Sequence, residues 1–151
     1  MPKITTFLTY DNQAEAAVRH YLSIFEDGKV VSSIPGPDGA VLSVTFELFG
    51  QTFIALNGGP SFTFSQGISL FVHCDTQAEV DRYWSKLTKD GKEGQCGWLV
   101  DKFGVSWQVV PNVLGELLGD KDPAKAGRAV QAMMKMKKLD IAALKRAHEG
   151  S

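Results

Sequence analysis

The sequence has few cysteines, little net charge and no long apolar run, and each shortage excludes a class of protein. Its two cysteines, Cys74 and Cys96, lie in apolar strand patterns, which favours a reducing compartment over a disulfide-stabilised fold. A formal net charge of −1 leaves no basic surface for nucleic acid. No apolar run approaches the roughly 20 residues that cross a bilayer, and residues 1–10 do not resemble a signal peptide. We therefore expect a cytoplasmic protein without a nucleic-acid or membrane partner.

What the sequence does contain suits one compact domain. The chain has 151 residues, 44% of them apolar and 22% charged, which is enough to bury a sizeable core. Its first part predicts a βαβββ unit, in which Asp11-Asn12 caps a helix that runs to about Phe25. The predicted strands around that helix are Ile4–Tyr10, Lys29–Ile34, Val41–Phe49 and Gln51–Leu56.

The same pattern then restarts, which indicates an internal duplication. Ile68–Cys74 predicts a strand, Asp75-Thr76 a helix cap and Gln77–Thr88 a helix. A shift of 64 residues superposes Ile4 on Ile68, Phe7 on Phe71, Asp11 on Asp75, and Gln13-Ala14-Glu15 on Gln77-Ala78-Glu79. Matches at the strand, the cap and the helix together argue for two copies of one unit. We place the repeats at 1–58 and 67–111, within a single domain.

The second copy ends in Gln95–Pro111, which predicts a β-hairpin turning at Asp101-Lys102-Phe103-Gly104. Alternation puts Cys96, Trp98 and Val100 on one face of the first arm. On the second arm Ser106, Gln108 and Val110 share a face, and Trp107 lies on the opposite one. The tail, 112–151, predicts helices at Val113–Leu118, after Asp122-Pro123 and after Asp140.

Four stretches carry a resemblance to a known family. They are Ile54-Ala55-Leu56-Asn57-Gly58-Gly59-Pro60 with Phe62 and Phe64; Cys74-Asp75-Thr76-Gln77 with Glu79-Val80-Asp81 and Trp84; the hairpin motif Gln95-Cys96-Gly97-Trp98 through Asp101, Gly104 and Trp107-Gln108; and the tail segment Met133–Asp140. With the duplication, they resemble the PhnB-like branch of the vicinal oxygen chelate superfamily, often labelled 3-demethylubiquinone-9 3-methyltransferase. The resemblance implies an α+β fold of the glyoxalase/bleomycin resistance type. Two βαβββ repeats would form an open barrel of curved mixed sheet around a pocket, with C-terminal helices added. It also implies a homodimer.

This sequence lacks some of the residues on which the chemistry of that superfamily depends. Metal-using members hold a divalent ion with His and Glu side chains from the first and last strands of each copy. Here Ile4–Tyr10 and Gln51–Asn57 contain no His, Cys, Asp or Glu, Ser69 stands near the second copy's His position, and Gln108 replaces the usual Glu. We therefore expect no metal site.

The methyltransferase label has no independent support in the sequence. An adenosyl cofactor is usually held by a Gly-rich turn that opens a helix, whereas Gly58-Gly59 leads into Pro60-Ser61-Phe62. We therefore predict no cofactor and assign no catalytic residue.

The leading hypothesis is a small-molecule-binding protein with a mostly apolar pocket suited to a neutral, partly aromatic ligand. The predicted lining consists of Thr6, Leu8, Phe71, Cys96 and Trp98, with polar contacts from Asn57, Ser69 and Gln108. A second hypothesis is a superfamily enzyme that uses His73 or Cys96 with a metal or with assistance from the substrate. A third is a homodimer whose main role is assembly.

Overall fold

The structure of the protein, a computed structural model, describes residues 2–151. The chain divides into two compact units, the first ending at Phe64 and the second running from Ser65 to Ser151. Each unit holds one copy of the predicted repeat, built as a four-stranded mixed sheet with one helix on it. The α+β class and the added C-terminal helices are confirmed.

The first unit is held together by one amphipathic helix packed on one sheet face. Its elements are β1 (Thr6–Tyr10), α1 (Ala14–Ile24), β2 (Gly28–Pro35), β3 (Val41–Leu48) and β4 (Gln51–Asn57). The sheet order is β1-β4-β3-β2, and only the β1–β4 pair is parallel. Val18 and Tyr21 of α1 are buried, and the Tyr21 hydroxyl lies 3.1 Å from that of Tyr10. Phe46 and Phe53 stack beneath the helix with ring centroids 5.3 Å apart.

The predicted cap of α1 at Asp11-Asn12 is wrong. The helix begins at Ala14, and its N-cap residue, Gln13, makes no side-chain capping bond. Asn57, at the end of β4, accepts a hydrogen bond from the Ala14 amide through Oδ1 at 2.9 Å. The parallel pairing of Tyr10 with Asn57 brings the Asn57 side chain beside the first turn of α1. Asn57 therefore accepts the hydrogen bond from the Ala14 amide that an N-cap side chain would otherwise accept.

The second unit repeats the plan with shorter strands. Its elements are β5 (Leu70–Cys74), α2 (Gln77–Thr88), β6 (Lys92–Glu93), β7 (Trp98–Val100) and β8 (Ser106–Pro111), in the order β5-β8-β7-β6. The predicted cap at Thr76 is confirmed: its side chain accepts from the Glu79 amide at 3.2 Å, and Glu79 accepts from the Asp75 amide at 2.8 Å. The pair resembles a capping box, except that Glu79 accepts from the amide of the residue before the N-cap instead of from the N-cap amide itself.

The first arm of the predicted hairpin is shorter than the alternation suggested. Strand β7 begins at Trp98, whereas Cys96 and Gly97 lie in a turn with φ values of 61° and 85°. Their amides donate to the carbonyls of Met136 and Lys137 at 2.7 and 2.8 Å. Residues 96–97 therefore donate both amides to the tail, while the Gly97 carbonyl accepts from the Val109 amide of β8 at 2.8 Å.

Three helices follow the second sheet, as predicted: α3 (Val113–Leu118), α4 (Pro123–Met134) and α5 (Ile141–Glu149). Asp122 and Asp140 cap α4 and α5, accepting from the amides of Ala124 and Ala143. The helices bury a separate apolar cluster that consists of Val110, Leu114, Leu117, Ala129, Leu139 and Leu144. Among residues 2–151, no helix combines the length and the apolar character that spanning a membrane requires.

Candidate functional site

One face of the second unit's sheet, the face opposite α2, brings several predicted site residues together. We call it the open face. Phe71 on β5, Gln108 on β8 and Trp98 on β7 are direct neighbours in register across three strands. Alternation turns Trp107 to the other face, where it is buried and donates through Nε1 to Asp101 Oδ2 at 2.8 Å. Gln108 and Trp107 therefore lie on opposite faces of the sheet, as the alternation predicted.

A cavity of about 370 Å³ lies on the open face. Phe71 and Trp98 line this cavity, and both rings are substantially exposed, Phe71 at 47% and Trp98 at 37%. The tail contributes the rest of the wall through Leu114, Leu118 and Met133. The sequence interpretation missed these tail residues. The sequence pattern predicted that they lie on helices, but it did not indicate that these helices pack beside the open face.

The cavity wall includes the neutral amide of Gln108. Gln108 Nε2 donates a hydrogen bond to Ser69 Oγ at 2.9 Å. An amide and a hydroxyl bonded to each other are weak donors for a divalent cation. Within 2–151, His, Cys, Asp and Glu side chains form no group of three or more that could hold a metal ion. The Gln108–Ser69 pair therefore does not supply the donors that a divalent metal ion needs.

A larger neighbouring cavity of about 530 Å³ shares Cys96 and Trp98 with the first. Ser106, two residues before Gln108 on β8, lines it, together with Lys92 and Glu93 of β6. The sequence interpretation grouped Ser106 with Gln108 on one face but did not include it among the site residues. The alternation on β8 was the signal that could have identified it.

The two cysteines differ in how far their thiols are exposed. Cys74 is fully buried, and burial, reinforced by the nearby Glu79 carboxylate, raises the pKa of its thiol to about 12. This thiol stays protonated and unreactive at neutral pH. Cys96 is partly exposed and lies at the junction of the two cavities. His73 is exposed on the same face as Phe71, with the two ring centroids 4.7 Å apart.

The three predicted site residues of the first unit are Thr6, Leu8 and Asn57, and two of them are taken up by packing or hydrogen bonds within that unit. Leu8 is buried on the side of β1 that faces α1, the same side as Tyr10. Both polar groups of the Asn57 amide are engaged, Oδ1 with the Ala14 amide and Nδ2 with the Val41 carbonyl at 3.1 Å. Thr6 is partly exposed at the start of β1. The structure therefore brings together Ser69, Phe71, Cys96, Trp98 and Gln108, all in the second unit.

Comparison with known proteins identifies relatives along most of the chain. A family model described as 3-demethylubiquinone-9 3-methyltransferase matches residues 2–110. Among solved structures, the PhnB protein from Bacillus cereus is 36% identical, with a TM-score of 0.68 over 73% of this chain and 99% of its own. No curated protein matched.

Two more distant structures share the fold. Protein PA1353 from Pseudomonas aeruginosa is 18% identical, with a TM-score of 0.60 over 74% of this chain and 98% of its own. A glyoxalase/bleomycin resistance protein from Albidiferax ferrireducens T118 is 12% identical, with a TM-score of 0.50 over 74% of this chain and 99% of its own. At these identities the likeness concerns the fold alone.

Proposed function

We propose that this chain, which belongs to the 3-demethylubiquinone-9 3-methyltransferase (PhnB-like) family, binds a small neutral, partly aromatic molecule without a divalent metal ion. The observation that carries the proposal is that Gln108, which lines an apolar cavity, has its amide bonded to the neutral hydroxyl of Ser69. Every side chain lining that cavity is uncharged. Burying a charged ligand there would cost desolvation energy that no opposite charge offsets, so a neutral ligand is favoured.

The aromatic preference follows from the two exposed rings. Phe71 and Trp98 flank Gln108 on adjacent strands and present apolar surface that a planar ligand would cover. Aromatic contacts add to the gain from burial alone. The Gln108 amide and the Ser69 hydroxyl would then orient the ligand through its polar substituents.

The test compares 2-naphthylmethanol with its anionic analogue, 2-naphthoate, in fluorescence titrations with and without EDTA. We expect the neutral compound to bind more tightly, EDTA to have no effect, and Phe71→Ala to weaken binding by about tenfold through lost apolar contact. Thr63→Ala, an exposed change in the first unit, is the control and leaves binding unchanged. Tighter binding of the anion, or binding that EDTA abolishes, would contradict the proposal.

The variant Gln108→Glu tests whether a carboxylate at this position would make the cavity sensitive to divalent metal ions. It restores a carboxylate beside Ser69, so we expect weaker binding of the neutral compound and a new sensitivity to Mn²⁺ or Zn²⁺. The unmodified protein should show neither. If its thermal midpoint already rises with these ions, and both chelator and His73→Ala abolish the rise, the metal-assisted enzyme is the better reading.

We also propose that the chain forms a homodimer and works in the cytoplasm. Self-association is supported by large apolar side chains left exposed on the first unit's strands, among them Phe7 at 53%, Val30 at 52% and Ile34 at 57%. The two free thiols, Cys74 and Cys96, support a reducing compartment. Light scattering after size exclusion should give about twice the 16.5 kDa chain mass, and Ile34→Lys should lower it. A monomeric mass at micromolar concentration would contradict the dimer.

A further inference from the structure

Ser106 carries a buried hydroxyl that has no hydrogen-bond partner among residues 2–151. The residue is 3% exposed, and its Oγ makes no hydrogen bond to any described residue. A buried polar group without a hydrogen bond is costly, and buried hydroxyls in native proteins are nearly always satisfied. This hydroxyl is therefore a candidate for bonding to something outside the chain.

The position of Ser106 shows where such a partner would lie. It precedes Gln108 by two residues on β8 and pairs in register with Val100 of β7, so its side chain belongs to the open face. It lines the cavity of about 530 Å³, whose volume is in the range of about 300–1,000 Å³ that is typical of small-molecule sites. The unpartnered hydroxyl and the cavity are separate observations that indicate the same place.

The two cavities on the open face share one wall. Cys96 and Trp98 line both, so a flat molecule lying along the Trp98 ring borders the Gln108 side and the Ser106 side together. Lys92 and Glu93 also line the larger cavity, and Glu93 Oε1 accepts from Trp84 Nε1 of α2 at 2.8 Å, so that carboxylate has a partner inside the protein.

We propose that the larger cavity is a second compartment of the same site, in which the Ser106 hydroxyl bonds a carbonyl or hydroxyl oxygen at one end of an elongated ligand. The aromatic body of that ligand lies along Trp98, and its class is neutral aromatic ketones and alcohols with a terminal oxygen. This inference rests on the proposed function, which it extends from a small aromatic ligand to one with two distinct ends.

The test uses prodan, a neutral aminonaphthyl ketone whose emission moves to longer wavelength when its carbonyl accepts a hydrogen bond. We expect Ser106→Ala to weaken prodan binding about fivefold to tenfold, the effect of one hydrogen bond, and to move the bound emission to shorter wavelength. Ser106→Thr, which keeps a hydroxyl, restores the emission. Ser43→Ala, at a buried serine of the first unit, changes neither quantity.

The possible outcomes separate this inference from the proposed function. If Trp98→Ala weakens prodan binding and Ser106→Ala changes neither affinity nor emission, the Ser106 compartment is refuted and the aromatic site stands. If the unmodified protein binds no prodan, or if neither variant affects binding, both are refuted. The thermal midpoint of ligand-free Ser106→Ala should rise, because an unsatisfied hydroxyl has been removed. A fall would show that Ser106 is bonded within the protein and would overturn the inference.

Discussion

The two copies of the repeat share a plan, but they differ in their outer strands. In the first unit β2 and β3 are eight residues each, whereas in the second β6 has two residues and β7 three. The short strands leave residues 96–97 to pair with the tail and leave space on the open face for two cavities. Shortening the hairpin in one copy thus gives that copy a candidate binding surface.

The copies also make their last turn in different ways. Between β3 and β4, Phe49 and Gly50 both have positive φ, 49° and 80°, which is a tight two-residue hairpin turn. Between β7 and β8, the turn is organised by the Asp101 side chain. Its Oδ1 accepts from the amides of Phe103 and Val105, and its Oδ2 from Trp107. Gly104 in this second turn also has a positive φ, 95°, so the buried carboxylate is added to a backbone feature that both turns share.

The largest expected effect comes from removing that carboxylate. Asp101→Ala leaves three donors without their acceptor, so we expect the free energy of unfolding to fall by about 4 kcal/mol, measured by urea denaturation. Asp101→Asn keeps one acceptor oxygen and should lose about half as much. In the first unit, Gly50→Ala should cost only about 1 kcal/mol, the strain of a left-handed alanine. Equal losses for Asp101→Ala and Gly50→Ala would show that the two turns are equivalent after all.

An intermediate effect is expected at Gln77, which has a counterpart in the first copy. Gln77 Nε2 donates to the Leu139 carbonyl at 3.0 Å, and its Oε1 accepts from the Ile141 amide at 2.8 Å, so one side chain joins α2 to the tail. Gln77→Ala should lower the free energy of unfolding by about 2 kcal/mol in urea denaturation. Gln13, 64 residues earlier, is exposed and makes no capping bond, and Gln13→Ala is the matched control. A loss of similar size in the control would remove the distinction between the copies.

The smallest effect concerns pH. The hydrogen bond from Gln77, followed by contact with Lys138 at 2.9 Å, lowers the pKa of Asp81 below its ordinary 3.8. Because the folded value is the lower one, this stabilisation is present above pH 3.8 and is lost as the pH falls through the folded pKa. For an exposed ion pair we expect about 0.5 kcal/mol.

The measurement compares urea denaturation at pH 7 and at about pH 2.5 for the unmodified protein and Asp81→Asn. The difference between the two proteins should shrink at the lower pH. The residue 64 positions earlier is Ala17, which is buried, so the first copy has no such titrating contact. A difference that stays constant with pH would assign the effect to packing.

Local patterns predicted the elements well wherever local physics decides them. The helix starts at Thr76, Asp122 and Asp140 follow from side chains that reach an amide two or three residues on. The cap of α1 was missed because its acceptor, Asn57, is 43 residues from Ala14 in sequence. Cys96 was placed in a strand because alternation cannot reveal competition from a distant tail carbonyl.

The sequence by itself determined the duplication, the helix starts at Thr76, Asp122 and Asp140, and the opposite facing of Gln108 and Trp107, because spacing and side-chain type govern these over a few residues. Only the tertiary structure decided that Ser69, Phe71, Trp98 and Gln108 become neighbours, that the tail lines the cavity beside them, and that the hydroxyl of Ser106 has no partner among the described residues. These features depend on strand order and on packing between distant segments. The residues adjacent in sequence do not determine strand order or the packing between distant segments.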